Sequence, residues 1–283
     1  MEILPLLIET ARNAGDAILK IYAQDFEVAF KSDHSPLTKA DEAAHQIIVA
    51  ALSTTPYPIL SEESAEITFE KREDWKRYWL VDPLDGTKEF IKKNGEFTVN
   101  IALIDEGRPV MGLVYAPVLD VLYFGSVENG TSEAWKTLDC RLKSVGEIIS
   151  SAQSLIGAKA SLENRSLQVV ASKSHCNDET HSFIEALENA FGSVERVSKG
   201  SSLKLCMVAE GTADIYPRIA PTMEWDTAAA HAVVRAAGGE VFEYNSSILP
   251  PEYLNFDPER TRDGWTPLRY NKENLLNPYF VVV

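Results

Sequence analysis

The residues of this 283-residue chain best suited to chemistry lie in one short run, WLVDPLDGTKEF at residues 79–90. An apolar stretch that reads as a buried strand ends at Asp82, Pro83 fixes a turn, and Asp85 and Gly86 lead into Thr87 at a helix start. That turn aims two carboxylates, and with them the Leu84 carbonyl, at one point just past a strand end. A donor set made only of oxygens suits Mg2+ or Mn2+ rather than zinc. The same residues could also form an ordinary acidic turn and a helix cap. Glu62, beside Glu63, follows the apolar run PIL, where a second strand would present a carboxylate at its end, although paired acids usually face solvent. Asp226 opens an Ala-rich helix in MEWDTAAAHAVVRAAGG that stops at Gly238 and Gly239, and Asp41 lies in TKAD. For both of these, helix capping is the plainer role.

The elements that must position these groups follow from hydrophobic spacing. Leu4, Leu7, Ile8, Ala11, Ala14, Ile18 and Ile21 recur at steps of three and four, which predicts an amphipathic helix over 3–23 with Pro5 tolerated in its first turn. After FEVAF, a polar loop at 31–37 carries Lys31, Asp33 and Pro36, a composition suited to a lid, and a second helix begins at Thr38. Strand 78–82 precedes three β-rich runs within 97–125 that read as an antiparallel meander. Residues 140–166 lack periodicity. Beyond them strands and helices alternate, with helices at 178–190, 202–210 and 226–236. A boundary near 155 therefore divides an α+β part, 1–154, from an α/β part, 155–283. In the second part, Gly200, Ser201 and Ser202 precede a helix where free N–H groups could hold a phosphate, with Lys204 and Arg218 adding charge.

Composition narrows the function. With 27 Lys and Arg against 42 Asp and Glu, the net charge of −15 disfavours nucleic-acid polymers and anionic lipid surfaces. A protein this acidic that handles phosphate esters must offset its own field at the site, which divalent cations do. The three cysteines, Cys140, Cys176 and Cys206, lack paired zinc or redox spacing. His34, His45, His181 and His231 likewise have no metal spacing. Glu2, Glu9 and Arg12 interrupt the apolar start, and no window approaches the ~20 apolar residues of a membrane span. A cytoplasmic protein is expected, with peripheral association at the inner membrane left open and oligomeric state unread.

Taken together and in order, KSDHSPLTKADEAAH, ILSEES, WLVDPLDGTKEF and EWDTAAAHAVVRAAGG resemble the blocks of the inositol monophosphatase superfamily of magnesium-dependent, lithium-sensitive phosphatases. Within it, VSKGSSLKLCMVAEGTADIYPR and PLRYNKENLLNP resemble the CysQ-type 3′(2′),5′-bisphosphate nucleotidases of sulfur metabolism. The resemblance spans nearly the whole chain. It implies a layered αβαβα sandwich and hydrolysis of a small-molecule nucleotide, adenosine 3′,5′-bisphosphate, to AMP and phosphate, with two or three Mg2+ ions for which Mn2+ could substitute. Position by position, it makes Glu62, Asp82, the Leu84 carbonyl, Asp85 and Asp226 the metal ligands, and Asp41 with Thr87 the pair that activates water. Ser201, Lys204, Arg218 and His175, together with Gly86, Thr87 and Asp226, would face the substrate. An inositol or sugar phosphatase of the same superfamily is the alternative, and a nucleotide or cation sensor without turnover is the non-enzymatic one. A haloacid-dehalogenase phosphatase fits poorly, since its paired aspartates stand two residues apart and Asp82 and Asp85 stand three apart.

Overall fold

The computed structural model describes residues 3–23, 28–30, 36–64, 66–155, 157, 165–171, 177–257 and 264–283, with backbone only at 28–30 and 36–38. Helix α1 (Ile3–Tyr22) buries Leu7, Ile8, Ala11, Ala14 and Ile18, the face its spacing marks. The short antiparallel pair β1 (Val28–Phe30) and β2 (Pro36–Thr38) leads into α2 (Lys39–Leu52). Next come β3 (Ile59–Ser61), a 3-10 turn at Glu62–Ser64, α3 (Phe69–Arg72), β4 (Arg77–Asp85) and α4 (Thr87–Ile91). Strands β5 (Thr98–Asp105), β6 (Arg108–Ala116), β7 (Val121–Glu128) and β8 (Thr131–Leu138) form the meander. Helix α5 (Val145–Ser150) and β9 (Gln153–Ser154) follow. The second half contains β10 (Leu167–Val170), α6 (Asp178–Phe191), β11 (Val194–Val197), α7 (Leu203–Ala209), β12 (Tyr216–Arg218), α8 (Glu224–Ala236), β13 (Val241–Glu243), α9 (Pro250–Tyr253) and β14 (Phe280–Val282).

β3 to β9 form one seven-stranded sheet in sequence order, with only β3 and β4 parallel. Both faces are covered. Tyr78, Leu80, Ala102, Ile104 and Val114 pack towards α7 and α8. Trp79, Val81, Ile101, Leu103 and Leu113 pack towards α1 and α2. Burial on both faces explains why these strands read as nearly unbroken apolar runs rather than alternating ones. In the second half, β10 and β11 pair in parallel and β12, β14 and β13 pair antiparallel, and a bridge between Val169 and Ile215 joins the two groups. Val170, Tyr216, Val241, Phe280 and Val282 face α7 and α8. Val169, Ile215, Phe242 and Val281 face α6 and α9. The layers are therefore α1/α2, sheet, α7/α8, sheet and α6/α9, the αβαβα sandwich.

Helix α8 lies unusually close to the first sheet. A Cβ at Gly112 would stand 2.1 Å from the Ala229 carbonyl oxygen, and one at Gly125 would stand 2.5 Å from Val233 Cα. These two glycines are register partners on β6 and β7. A helix with Ala228, Ala229 and Ala232 on its buried face and a sheet with glycines beneath it allow backbone to meet backbone, which fixes the height of everything α8 carries.

Several sequence expectations change. The strand at 78–82 does not end at Asp82 but runs to Asp85 through a β-bulge, because Pro83 cannot donate to the ladder and the extra residue absorbs the lost bond. Residues 140–166 are not wholly irregular: Ser144 and Glu147 form a reciprocal capping box that starts α5. Helix α8 begins at Glu224, two residues ahead of Asp226. Pro36 and Leu37 belong to β2, while the remainder of the 31–37 loop and His175 lie outside the described residues, as does the Thr38 side chain. Among the described residues, no helix is long and apolar enough to cross a membrane.

Candidate active site

The bulge in β4 decides where the acids point. Two residues three apart in a regular strand face opposite sides of the sheet. Here Asp82 pairs with Asn100 and Asp85 pairs with Thr98, so one extra residue lies between them. Asn100 and Thr98 are two apart on β5 and share a face, so Asp82 and Asp85 share it too, the face covered by α8. Pro83 and Leu84 have no register partner, which releases the Leu84 carbonyl from the ladder. Gly86 follows at φ +91°, a conformation glycine adopts without strain, and it turns the chain into α4 at Thr87.

From the opposite side, Asp226 reaches in on the first turn of α8. One oxygen from each of Asp82, Asp85 and Asp226 lies within 4.8 Å of the other two, a spacing that could hold a metal ion. Each carboxylate spends one oxygen on a protein donor. Asp82 Oδ1 accepts from the Leu84 N–H at 3.0 Å, and Asp226 Oδ2 accepts from the Met223 N–H at 2.9 Å. Asp85 Oδ2 accepts from the Ser202 N–H at 2.7 Å and from the Ser201 hydroxyl. Among the described residues these donors reach only one oxygen of each carboxylate, and such second partners hold a ligand in orientation.

Burial, followed by the charges of Glu62, Asp85, Asp226 and Asp41, drives the Asp82 carboxyl well above the usual range. Asp226 is raised as well, by burial and then by Asp85, against the lowering effects of the Met223 N–H and Arg218. These clustered carboxylates are self-repelling, so a divalent cation among them relieves both desolvation and repulsion. The donor set fits Mg2+ on this ground. Glu62, in the 3-10 turn after β3, and the Leu84 backbone border the same space. Asp41, on the first turn of α2, is 1% exposed and close enough to act on Asp82.

A cavity of about 440 Å3 opens from this cluster. Glu62, Asp82, Leu84, Asp85, Gly86, Thr87 and Asp226 line one part of it, and Ser201, which bonds Asp85, lines an adjoining flank with Lys204, Arg218, Tyr216 and Phe280. Burial lowers the Lys204 ammonium despite the pull of Asp85, and the neighbouring Arg218 adds to that lowering. The cavity thus has an anionic end suited to cations and a cationic flank suited to a second anionic group. Ser201 borders it at φ +55°, held there by Asp85 and by the Thr98 hydroxyl, 2.6 Å away. Of the expected site residues that are described, all except Asp41 and Ser202 line this one cavity; the Ser202 N–H, expected to be free for a phosphate, instead donates to Asp85.

Sequence reading missed the groups that brace these acids. Asn100 was visible as a lone polar residue in the apolar run FTVNIALI; it is 1% exposed and donates to Ser202 Oγ at 2.8 Å. The segment PLRYNKENLLNP clamps the start of α8. Fully buried Glu224 accepts from the Asn271 N–H at 2.8 Å, the Lys272 N–H at 3.0 Å and Lys272 Nζ at 2.6 Å. Asn277 Nδ2 donates to the Met223 carbonyl at 2.8 Å and to Thr227 Oγ1 at 3.1 Å. Nothing in the spacing of that segment signals this role.

The sequence profile of the inositol monophosphatase family matches residues 1–277. The 3′(2′),5′-bisphosphate nucleotidase CysQ of Salmonella typhimurium is 45% identical over 278 residues, 97% of this chain and 96% of that protein. CysQ of Haemophilus influenzae is 32% identical over 276 residues, 96% and 89% of the two chains. Among solved structures, CysQ from Bacteroides thetaiotaomicron superposes with a TM-score of 0.80 at 45% identity, covering 99% of this chain and 96% of that one. The extragenic suppressor protein suhB from Bartonella henselae gives 0.67 at 26% identity, covering 86% and 88%.

Proposed function

Because this chain belongs to the inositol monophosphatase family, we propose that it is a magnesium-dependent 3′(2′),5′-bisphosphate nucleotidase that hydrolyses adenosine 3′,5′-bisphosphate to AMP and phosphate. The observation that carries the metal-dependent chemistry is the convergence of Asp82, Asp85 and Asp226, each with one oxygen held by a protein donor. The near full-length likeness to CysQ nucleotidases supports the substrate.

In this reading Glu62, Asp82, the Leu84 carbonyl, Asp85 and Asp226 hold two or three Mg2+ ions, for which Mn2+ substitutes. When bound, the ions supply an acidified water and charge stabilisation for the departing oxygen. Thr87, its hydroxyl polarised by Asp41, would orient the attacking water in line with the scissile phosphorus. Gly86 lets the backbone approach the phosphate. Lys204 and Arg218 neutralise the second phosphate on the cationic flank, next to Ser201, and His175 contacts the nucleotide. Residues 1–154 supply most of the cation site, and 155–283 supply the substrate side together with Asp226. A cytoplasmic location, lithium sensitivity and a free nucleotide as partner complete the proposal, and nothing in the described residues supports association with the inner membrane.

A side-by-side assay of adenosine 3′,5′-bisphosphate, inositol 1-phosphate and fructose 1,6-bisphosphate, with and without Mg2+, tests the proposal. Preference for the nucleotide and dependence on Mg2+ are expected. Faster turnover of inositol 1-phosphate would transfer the chain to the sugar-phosphatase alternative, and nucleotide binding with no turnover would make it a sensor.

A further inference from the structure

We infer, resting on the metal-dependent reading above, that Ser202 and Asn100 are positioning residues that set the separation of Asp85 and Asp226 and thereby the cation affinity of the site. Ser202 is 1% exposed and sits where three elements meet. Its N–H donates to Asp85 Oδ2 at 2.7 Å. Its hydroxyl oxygen lies 2.8 Å from the same carboxylate oxygen and 2.6 Å from the Asp226 backbone carbonyl. Asn100 Nδ2, from β5, donates to that hydroxyl at 2.8 Å. A hydroxyl has one proton to give and accepts through its lone pairs. With Asn100 donating to it, the Ser202 proton is directed to Asp85 or Asp226, the two residues that must be held at cation-bridging distance.

The arrangement adds α8 to the parts of the chain that Ser201 already ties together through Asp85 and Thr98. Asp85 comes from the end of β4, Asn100 from its neighbour β5, Ser202 from the turn before α7, and Asp226 from α8. All are buried or half-buried, so a lost partner leaves an unsatisfied polar atom, which is costly. Mg2+ demands near-ideal octahedral distances, so a small change in carboxylate separation appears directly as lost affinity. Ser202 lies one residue beyond Ser201 and two before Lys204 on the cavity's cationic flank. The same short turn therefore holds a metal ligand in place and presents the charge meant for a substrate anion.

The test is Mn2+ uptake by the substrate-free protein, followed by the EPR signal of the free ion, for wild type, Ser202→Ala, Asn100→Ala and the double variant, with circular dichroism confirming the fold. Loss of an outer partner typically weakens metal binding about tenfold to a hundredfold, so each single variant should show a dissociation constant raised by that factor. The double variant should be less than additive, because both substitutions break one chain. At saturating Mn2+ the KM for nucleotide should stay near wild type, a split that a merely structural defect would not produce. Ser202→Cys, close in size with a weaker donor, should fall between wild type and alanine, and it takes over the test if Ser202→Ala fails to fold. Folded variants that bind Mn2+ with wild-type affinity overturn the positioning role alone. A wild-type protein that takes up no Mn2+ overturns the metal reading itself.

Discussion

Substituting Gly112 by alanine tests whether the seating of α8 governs the cation site. The new Cβ would stand 2.1 Å from the Ala229 carbonyl oxygen and 2.8 Å from Ala232 Cβ. Ordinary contact begins at 3.4 Å, and the obstacle is backbone, so the helix must retreat by about 1.3 Å. Asp226 lies three residues before Ala229 on the same helix, less than one turn away, and moves with it. Magnesium holds its oxygens at about 2.0–2.1 Å and tolerates errors of about 0.2 Å, so a shift of this size takes Asp226 out of range. Two effects should therefore appear together. Overpacking should lower stability by about 1–3 kcal/mol in urea unfolding of the metal-free protein. The Mg2+ concentration for half-maximal hydrolysis should rise at least tenfold, while Gly146→Ala, at a position with nothing within 4 Å, should leave the Mg2+ requirement unchanged. A folded Gly112→Ala protein with wild-type stability and wild-type Mg2+ requirement would refute the reasoning, because it would mean that the close approach constrains nothing.

Asp85→Asn removes a ligand and a negative charge, and turnover should drop by several orders of magnitude. Because it also relieves repulsion with Asp82 and Asp226, its melting temperature without metal should rise while the increment from Mg2+ disappears in calorimetry. Asn277→Ala leaves the Met223 carbonyl without its side-chain donor and should lower stability by about 1–3 kcal/mol while raising the Mg2+ requirement, both readable in one thermal and kinetic titration. His231, fully buried, is pushed down to about 4 by desolvation, while its N–H bonds Glu240 at 2.5 Å. Glu240 is itself held at about 2: burial pushes it up, but the His231 hydrogen bond and Arg108 outweigh that. Both folded values lie below the unfolded ones, so this stability is present above about pH 6.5 and is lost as pH falls. The unfolding free energy from urea titrations should decline from pH 6.5 towards 4 by on the order of 1 kcal/mol per pH unit, and an NMR titration should find His231 neutral above pH 5. A flat urea profile, or His231 charged at pH 6, would contradict that assignment.

The chain's own residues determined most of the elements and the identity of the acids. The steps of three and four in 3–23 gave α1 because only a helix places those side chains on one face. Unbroken apolar runs at 78–82 and 97–125 marked strands because both faces of the sheet are covered. Asp82, Asp85, Glu62 and Asp226 stood out by type and by their place at element ends. What local sequence could not decide was phase and partnership. Asp82 and Asp85 fall on the same face only because β4 slips one residue against β5, and that slip is a property of the pair of strands. Asn100 and Ser202 stand about a hundred residues apart, and Met223 and Asn277 more than fifty, so their hydrogen bonds leave no trace in either neighbourhood. Propensity and periodicity act over a few residues, whereas the separation of two carboxylates from different layers is set by how closely a helix can sit on a sheet. In this protein two glycines under an alanine-rich helix set that distance.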